Sequence, residues 1–152
     1  MTLLARHLSI YKSLGKNKVR YVVIGGIACI NYGVPRNTLD LDIWVEANIQ
    51  NINRLLNALK ELKFGTAHLT SSEEILENEI TVFDDYLRLD VFTFLKRLKF
   101  ETAWKKRLVR KIDGVRINFV SLSDLIKSKK LYKRKIDRED LEMLSRVKTR
   151  RK

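Results

Sequence analysis

The sequence predicts a single domain of the α/β (α+β) class, a mixed β-sheet with helices packed over it and a C-terminal helical pair. Three observations predict it. Val19 to Ile24 is a nearly continuous β-branched and aromatic run, as a strand covered on both faces requires. Thr38 to Val45 and Tyr86 to Phe94 alternate apolar with polar residues at the two-residue period of a strand. Between them, apolar residues recur at helical spacing, and no internal repeat, low-complexity tract or Pro/Gly/Ser linker divides the chain. At 152 residues and 45% hydrophobic content, the chain supports one core. The domain is read as 1–152, with a core over about 19–120 and closing helices over about 121–150.

In chain order, Thr2 caps a first helix through Leu3, Leu4, Leu8, Ile10 and Leu14, ending near Gly15. The strand from Val19 stops at Gly25-Gly26. A short helix follows from Ile27 to Tyr32, and Gly33, Pro35 and Asn37 mark an irregular turn. In the strand from Thr38, Leu39, Leu41, Ile43 and Val45 point one way, and Asp40, Asp42 and Trp44 the other. Ile52, Leu55, Leu56, Leu59 and Leu62 define a helix over 49–62, capped by Asn48. Gly65 to Asn78 is weakly patterned and carries only a brief helix signal at Ser71 or Ser72.

Ile80 to Phe83 and Tyr86 to Phe94 form two strands joined at Asp84-Asp85. The second presents Arg88, Asp90 and Phe92 on one face. A basic helix covers 101–107, anchored by Trp104. Leu108 to Ile112 and Val115 to Val120 flank Asp113-Gly114, the strongest hairpin signal in the chain. Ser121, with Asp124 three residues on, starts the first of two helices.

Charge sets the class of partner. With 31 Lys and Arg against 18 Asp and Glu the chain carries +13, a field that attracts polyanions and disfavours cationic substrates such as aminoglycosides. Nucleoside triphosphates, RNA or an acidic protein are the expected partners. The excess is concentrated at 127–152, where twelve Lys or Arg face four acids; this is either a solvated helical face or a nucleic-acid contact. Neither a signal peptide nor a membrane helix is visible, so no membrane partner is expected. The lone Cys29, read as core, suits a reducing cytoplasm.

The chemistry lies in the acids. Residues two apart on a strand share a face with Cα atoms roughly 6.5 to 7 Å apart, so Asp40 and Asp42 project side by side. Two adjacent carboxylates repel unless a cation neutralises them, so the pair reads either as a divalent-metal site or as solvated acids on a half-buried strand. Asp90 is the natural third member, able to accept the proton of an attacking hydroxyl. The Gly25-Gly26 break reads either as a plain tight turn or as a turn where backbone amides approach a triphosphate, assisted by Arg36 and Thr38.

Two segments, IGGIACINYGVPRNTLDLDIWV and LRLDVF, resemble the minimal nucleotidyltransferase branch of the DNA polymerase β superfamily, especially the group with AbiEii-type toxins of toxin–antitoxin systems. The resemblance implies a nucleotidyltransferase fold, with Asp40, Asp42 and Asp90 as catalytic metal ligands for Mg²⁺ (or Mn²⁺) and Gly25 and Gly26 at the nucleotide phosphates. The closing segment SLSDLIKSKKLYKRKIDREDLEML resembles the family's own, placing Asp124, Lys129, Arg134, Asp137 and Asp140 on its pattern, with Lys129, Arg134 and Asp137 near the nucleotide. The sequence departs from the family where Gly26 replaces a common serine, leaving phosphate binding to backbone amides and nearby basic groups.

The implied activity is metal-dependent transfer of a nucleoside monophosphate from a triphosphate such as ATP to a hydroxyl of RNA or protein, in a toxin–antitoxin setting. The alternatives are a non-catalytic RNA- or protein-binding module on the same fold and, disfavoured by charge and length, an antibiotic adenylyltransferase. A homodimer is compatible with the short chain. His7 and His68 lack partners at ligand spacing and are read as surface or packing residues. Trp44 is read as core or rim packing.

Overall fold

Alternation and β-branching build one sheet. The computed structural model describes residues 7–38, 40–132 and 135–150; the expectations for Thr2, Leu3, Leu4, Leu39 and Arg134 lie outside them. Six strands, β1 (Tyr21–Ile24), β2 (Leu41–Val45), β3 (Ile80–Asp84), β4 (Arg88–Phe92), β5 (Leu108–Ile112) and β6 (Val115–Phe119), run in the order β3-β4-β2-β1-β6-β5. β1 is antiparallel to β2 and parallel to β6, and β2 is parallel to β4. Antiparallel hairpins close both edges. The β5–β6 turn places Asp113 at φ 49° and Gly114 at φ 79°, the paired positive dihedrals that a two-residue hairpin matched to strand twist demands.

Seven α-helices occur among the described residues: α1 (Leu8–Lys16), α2 (Gly25–Asn31), α3 (Ile49–Glu61), α4 (Ser72–Glu77), α5 (Phe100–Lys106), α6 (Leu122–Tyr132) and α7 (Lys135–Arg150). Their starts follow local chemistry. Asn48 and Ser71 accept from the backbone N–H groups of Asn51 and Glu74, and Ser121 Oγ accepts from Asp124 N at 3.2 Å. The weakly patterned stretch resolves into a 3₁₀ turn at Gly65–Leu69 followed by α4.

Several boundaries differ from expectation: β4 covers only Arg88–Phe92 of the expected 86–94, its pairing with β3 starting where Asp84 opposes Arg88. The first strand begins at Tyr21 because Lys18 turns the chain at φ 57°. α2 begins at Gly25, so both glycines belong to its first turn. β2 begins at Leu41, because β1 has already ended at Ile24, opposite Asp42; Asp40 therefore precedes the ladder.

β1 is buried along its whole length. α1 packs on α3 and β6, α2 on β1 and β2, and α6 on α7. Trp44 is core, in an edge-on contact with Phe100 at 5.3 Å. His7 is buried beside Tyr11 and His68 is exposed. Cys29 is buried, which pushes its thiol up to about 11.

Asn51 holds α3 to the sheet. Its Oδ1 accepts from Arg20 N at 2.8 Å, and its Nδ2 donates to Arg20 O at 3.0 Å and Glu46 O at 2.9 Å. A buried polar clamp is costly to break, since the backbone groups left behind lose both water and partner. Asn51→Leu is expected to lower unfolding free energy by about 2 kcal/mol in urea titration.

Candidate active site

The parallel register of β2 and β4 sets Asp42 opposite Asp90 and Trp44 opposite Phe92. Opposed residues share a sheet face, so one face carries both acids, and Ile24 of β1 lies beside Asp42 on it. One step before the ladder, Asp40 continues the row opposite Arg88. The three acids sit in different environments. The Asp40 side chain is 50% exposed and that of Asp90 17%, whereas burial pushes Asp42 from its ordinary 3.8 up to about 7, with the charges of Asp90 and Asp40 adding to the effect. Lys129 opposes it.

Arg88 stands among these acids, its Nε 3.0 Å from Asp90 Oδ1 and 3.9 Å from Asp40 Oδ2. The hydrogen bond to Asp90 raises its own pKa. Sequence reasoning placed Arg88 on the Asp90 face and gave it no role; the Arg-x-Asp spacing on one strand was the available signal.

Gly25 answers to Asp42. Its φ is +67°, and a Cβ there would run into Asp42 Oδ2. Gly25→Ala is expected to cost about 2 kcal/mol from the left-handed backbone and to displace the Asp42 carboxylate, read as a lower melting temperature. At Gly26 a Cβ would meet Thr38 Cγ2 at 3.0 Å and Arg36 Cζ at 3.5 Å. Arg36 and Thr38 thus gather over the glycine turn.

The helical pair brings a second set of charges. Lys129 Nζ lies 3.2 Å from Asp137 Oδ1 and 3.1 Å from Asp140 Oδ2, and Arg36 Nη1 lies 2.8 Å from Asp140 Oδ2. Lys129, Asp137 and Asp140 are all buried. The network ties α6 and α7 to the turn beside Gly26. A cleft of about 210 Å³ opens between this network and the sheet, bordered by Gly25, Asp42, Lys129, Asp137 and Ser128, with Ile80, Phe92 and Leu95 as apolar walls. Asp124, by contrast, is held by Lys106 at 3.0 Å and lines a separate hollow beside α5.

Among the described residues, no group of three His, Cys, Asp or Glu side chains is arranged as a ready metal site; Asp40 faces solvent, and the Arg88 guanidinium pairs with the flanking acids. The donor set nevertheless fits Mg²⁺. That ion is commonly bound through one or two carboxylates plus substrate phosphates, and Asp42 and Asp90 supply two opposed carboxylates beside a cleft.

The mixed sheet, the glycine-led α2 and the acids on β2 and β4 define a protein of the nucleotidyltransferase fold. Two solved structures share that fold. An antigenic nucleotidyltransferase-like protein from Paracoccidioides brasiliensis aligns with a TM-score of 0.64 at 16% identity, over 93% of this chain and 74% of that one. A proposed nucleotidyltransferase of Thermotoga maritima aligns with a TM-score of 0.56 at 21% identity, over 88% and 86%. None of the curated proteins compared matches the chain. The chain belongs to the family described as nucleotidyltransferase of unknown function (DUF6036), which matches residues 8–148.

Proposed function

We propose that the protein transfers a nucleoside monophosphate from a metal-bound nucleoside triphosphate to a hydroxyl of an RNA or protein acceptor. The observation that carries this reading is the opposition of Asp42 and Asp90 in register, beside a glycine whose missing Cβ makes room for the Asp42 carboxylate. A Mg²⁺ or Mn²⁺ ion held by Asp42 and Asp90, joined by Asp40, would supply charge neutralisation on the triphosphate and in-line orientation of attack.

The chain's own groups do the rest. The N–H groups of Gly25 and Gly26 belong to a first helical turn, where amides lack intrahelical acceptors and suit phosphate oxygens. Lys129 carries positive charge to the cleft wall, and Asp137 holds its ammonium in place. Arg36 and Thr38 border the same turn. Asp90 takes the proton of the acceptor hydroxyl as the new phosphodiester forms at the α-phosphorus, the α–β anhydride bond breaks and pyrophosphate leaves. The apolar wall of Ile80, Phe92 and Leu95 suits the flat face of a base.

The test is incubation with Mg²⁺, each α-labelled triphosphate, and total cellular RNA or protein. Label moved by the wild type and lost in Asp90→Asn supports the enzyme and gives its acceptor class. A toxin role in a toxin–antitoxin pair, suggested by the AbiEii-type resemblance, belongs to the same proposal, as does the cytoplasmic location that the lone Cys29 suits. The sign of the toxin role is growth arrest on expression that Asp90→Asn relieves.

One observation favours a second reading. Arg88 already pairs with Asp90 and reaches Asp40 within the chain, which suits a fold retained as a non-catalytic RNA- or protein-binding module. Tight RNA binding without label transfer from any triphosphate would select it.

A further inference from the structure

Basic side chains gather around α5 in two hollows. In one hollow on its flank, Arg97, Lys99, Lys106 and Lys127 face a single acid, Asp124. Asp124 is spent on Lys106 at 3.0 Å, and its Oδ2 is buried without a hydrogen bond. In a second hollow, Arg20, Arg107 and Arg116 surround Trp104. Arg107 lies over the indole at 3.7 Å and Arg20 at 4.9 Å. Arg20 is balanced by Glu46 at 2.6 Å and Glu101 at 3.3 Å. Arg107 donates only to neutral oxygens, those of Trp104 and Asn118. Among the described residues, Arg97, Lys99, Lys127, Arg107 and Arg116 have no carboxylate partner. Crowding by Arg116 and Arg20, after burial, lowers the pKa of Arg107.

The two hollows and the cleft form one series on one sheet face. Val22 opposes Trp44 and Ile24 opposes Asp42, so Arg20, two residues before Val22, lies on the face that carries Asp42. Phe119 pairs with Val23 of the other face, which returns Asn118 and Arg116 to the Asp42 side. Lys127 and Lys129 on α6 border the first hollow and the cleft respectively. Lys106 and Arg107 border the first and second hollows. From Arg20 to Gly25 the strand covers about 17 Å.

We propose that α5 and its two hollows seat a single nucleic-acid strand, its phosphates lying along Arg107, Arg116, Arg97, Lys99 and Lys127 and its end delivered to the cleft. Only the strand's role as acceptor rests on the nucleotidyl-transfer reading above. Guanidiniums suit this task, because their planar fork meets phosphate oxygens two at a time. Trp104 is occupied by Phe100 and Arg107, so the track reads backbone rather than stacked bases.

The test is fluorescence anisotropy of an end-labelled, unstructured RNA of about 12 nucleotides, with the full chain and no triphosphate, from about 50 to 200 mM salt. An identical DNA forms the second arm. The proteins are wild type and the Arg116→Gln/Lys127→Gln double variant. Both replaced side chains are exposed, and a melting curve confirms folding. Wild-type affinity should fall with salt. The double variant should bind about tenfold more weakly, with a log–log salt slope shallower by about 1.4, or about 0.7 for each phosphate contact removed.

Equal binding of RNA and DNA assigns the track to the shared backbone, and tighter RNA binding adds contact with the 2′-hydroxyl. The proposal is overturned if the folded double variant keeps wild-type affinity and slope, or if the wild type binds neither strand at the lowest salt. Binding as expected with no label transferred from any triphosphate leaves the track standing and sinks the transfer reading.

Discussion

Asp42→Asn is expected to reduce nucleotidyl transfer by about 10³-fold while making the metal-free protein more stable at pH 8. The first effect follows from position: Asp42 is the carboxylate set between Gly25 and Asp90, and the loss of a group acting directly on reacting atoms costs about 10² to 10⁴ in rate. The second follows from linkage. Burial, with Asp90 on β4 and Asp40 ahead of β2, raises Asp42 from 3.8 to about 7, against the opposing charge of Lys129 on α6.

Between those values the folded chain binds a proton that the unfolded chain has released. The contribution of Asp42 to metal-free stability is therefore greatest below about pH 4, falls as pH rises toward 7, and is level above it, with a total loss of at most about 4 kcal/mol. Asparagine removes the titrating group and flattens the profile. Urea titrations of both proteins at pH 5 and pH 8 decide the matter. Equal pH slopes would mean that Asp42 is an ordinary solvated acid. Added Mg²⁺ should stabilise the wild type at pH 8 and leave Asp42→Asn unchanged, because the ion takes the charged carboxylate.

Lys129→Met should destabilise the fold by about 3 to 5 kcal/mol, the usual cost of removing one member of a buried ion pair. The Lys129 side chain is only 7% exposed, and it bridges Asp137 and Asp140 at 3.2 and 3.1 Å. Methionine fills the space and leaves two buried carboxylates without that charge. Arg36 still pairs with Asp140, at 2.8 Å. The melting temperature should fall by about 10 °C or more, and nucleotide binding should weaken with it, since the cleft loses its buried cation. Asp140→Asn should be milder, because Lys129 keeps Asp137 and Arg36 is partly exposed. A Lys129→Met protein melting with the wild type would show that the helical pair is held by its apolar contacts alone.

Much of the site could be read from residue order. Asp-x-Asp, the later strand aspartate and the glycine pair each carry local signatures, and the Asp113-Gly114 hairpin and the Ser121 cap are set by backbone chemistry within four residues. Other features lacked any such signal. Asp40 and Asp42 have the same spacing logic and different fates, because the β1–β2 ladder begins only after Asp40. The protein's 65–78 segment has no clean period, since a 3₁₀ turn and a six-residue helix are too short to show one.

By itself the sequence determined the element types, the alternation that puts the acids on the polar side of their strands, and the +13 charge that points to polyanions. These depend on periodicity and composition, which neighbours along the chain impose. Only the tertiary structure decided that Asp42 faces Asp90 rather than Arg88, that Gly25 packs on the Asp42 carboxylate, and that Lys129 is buried between two acids from the next helix. Strand register brings Asp42 against Asp90, a residue forty-eight positions on, and it is burial that raises the pKa of Asp42.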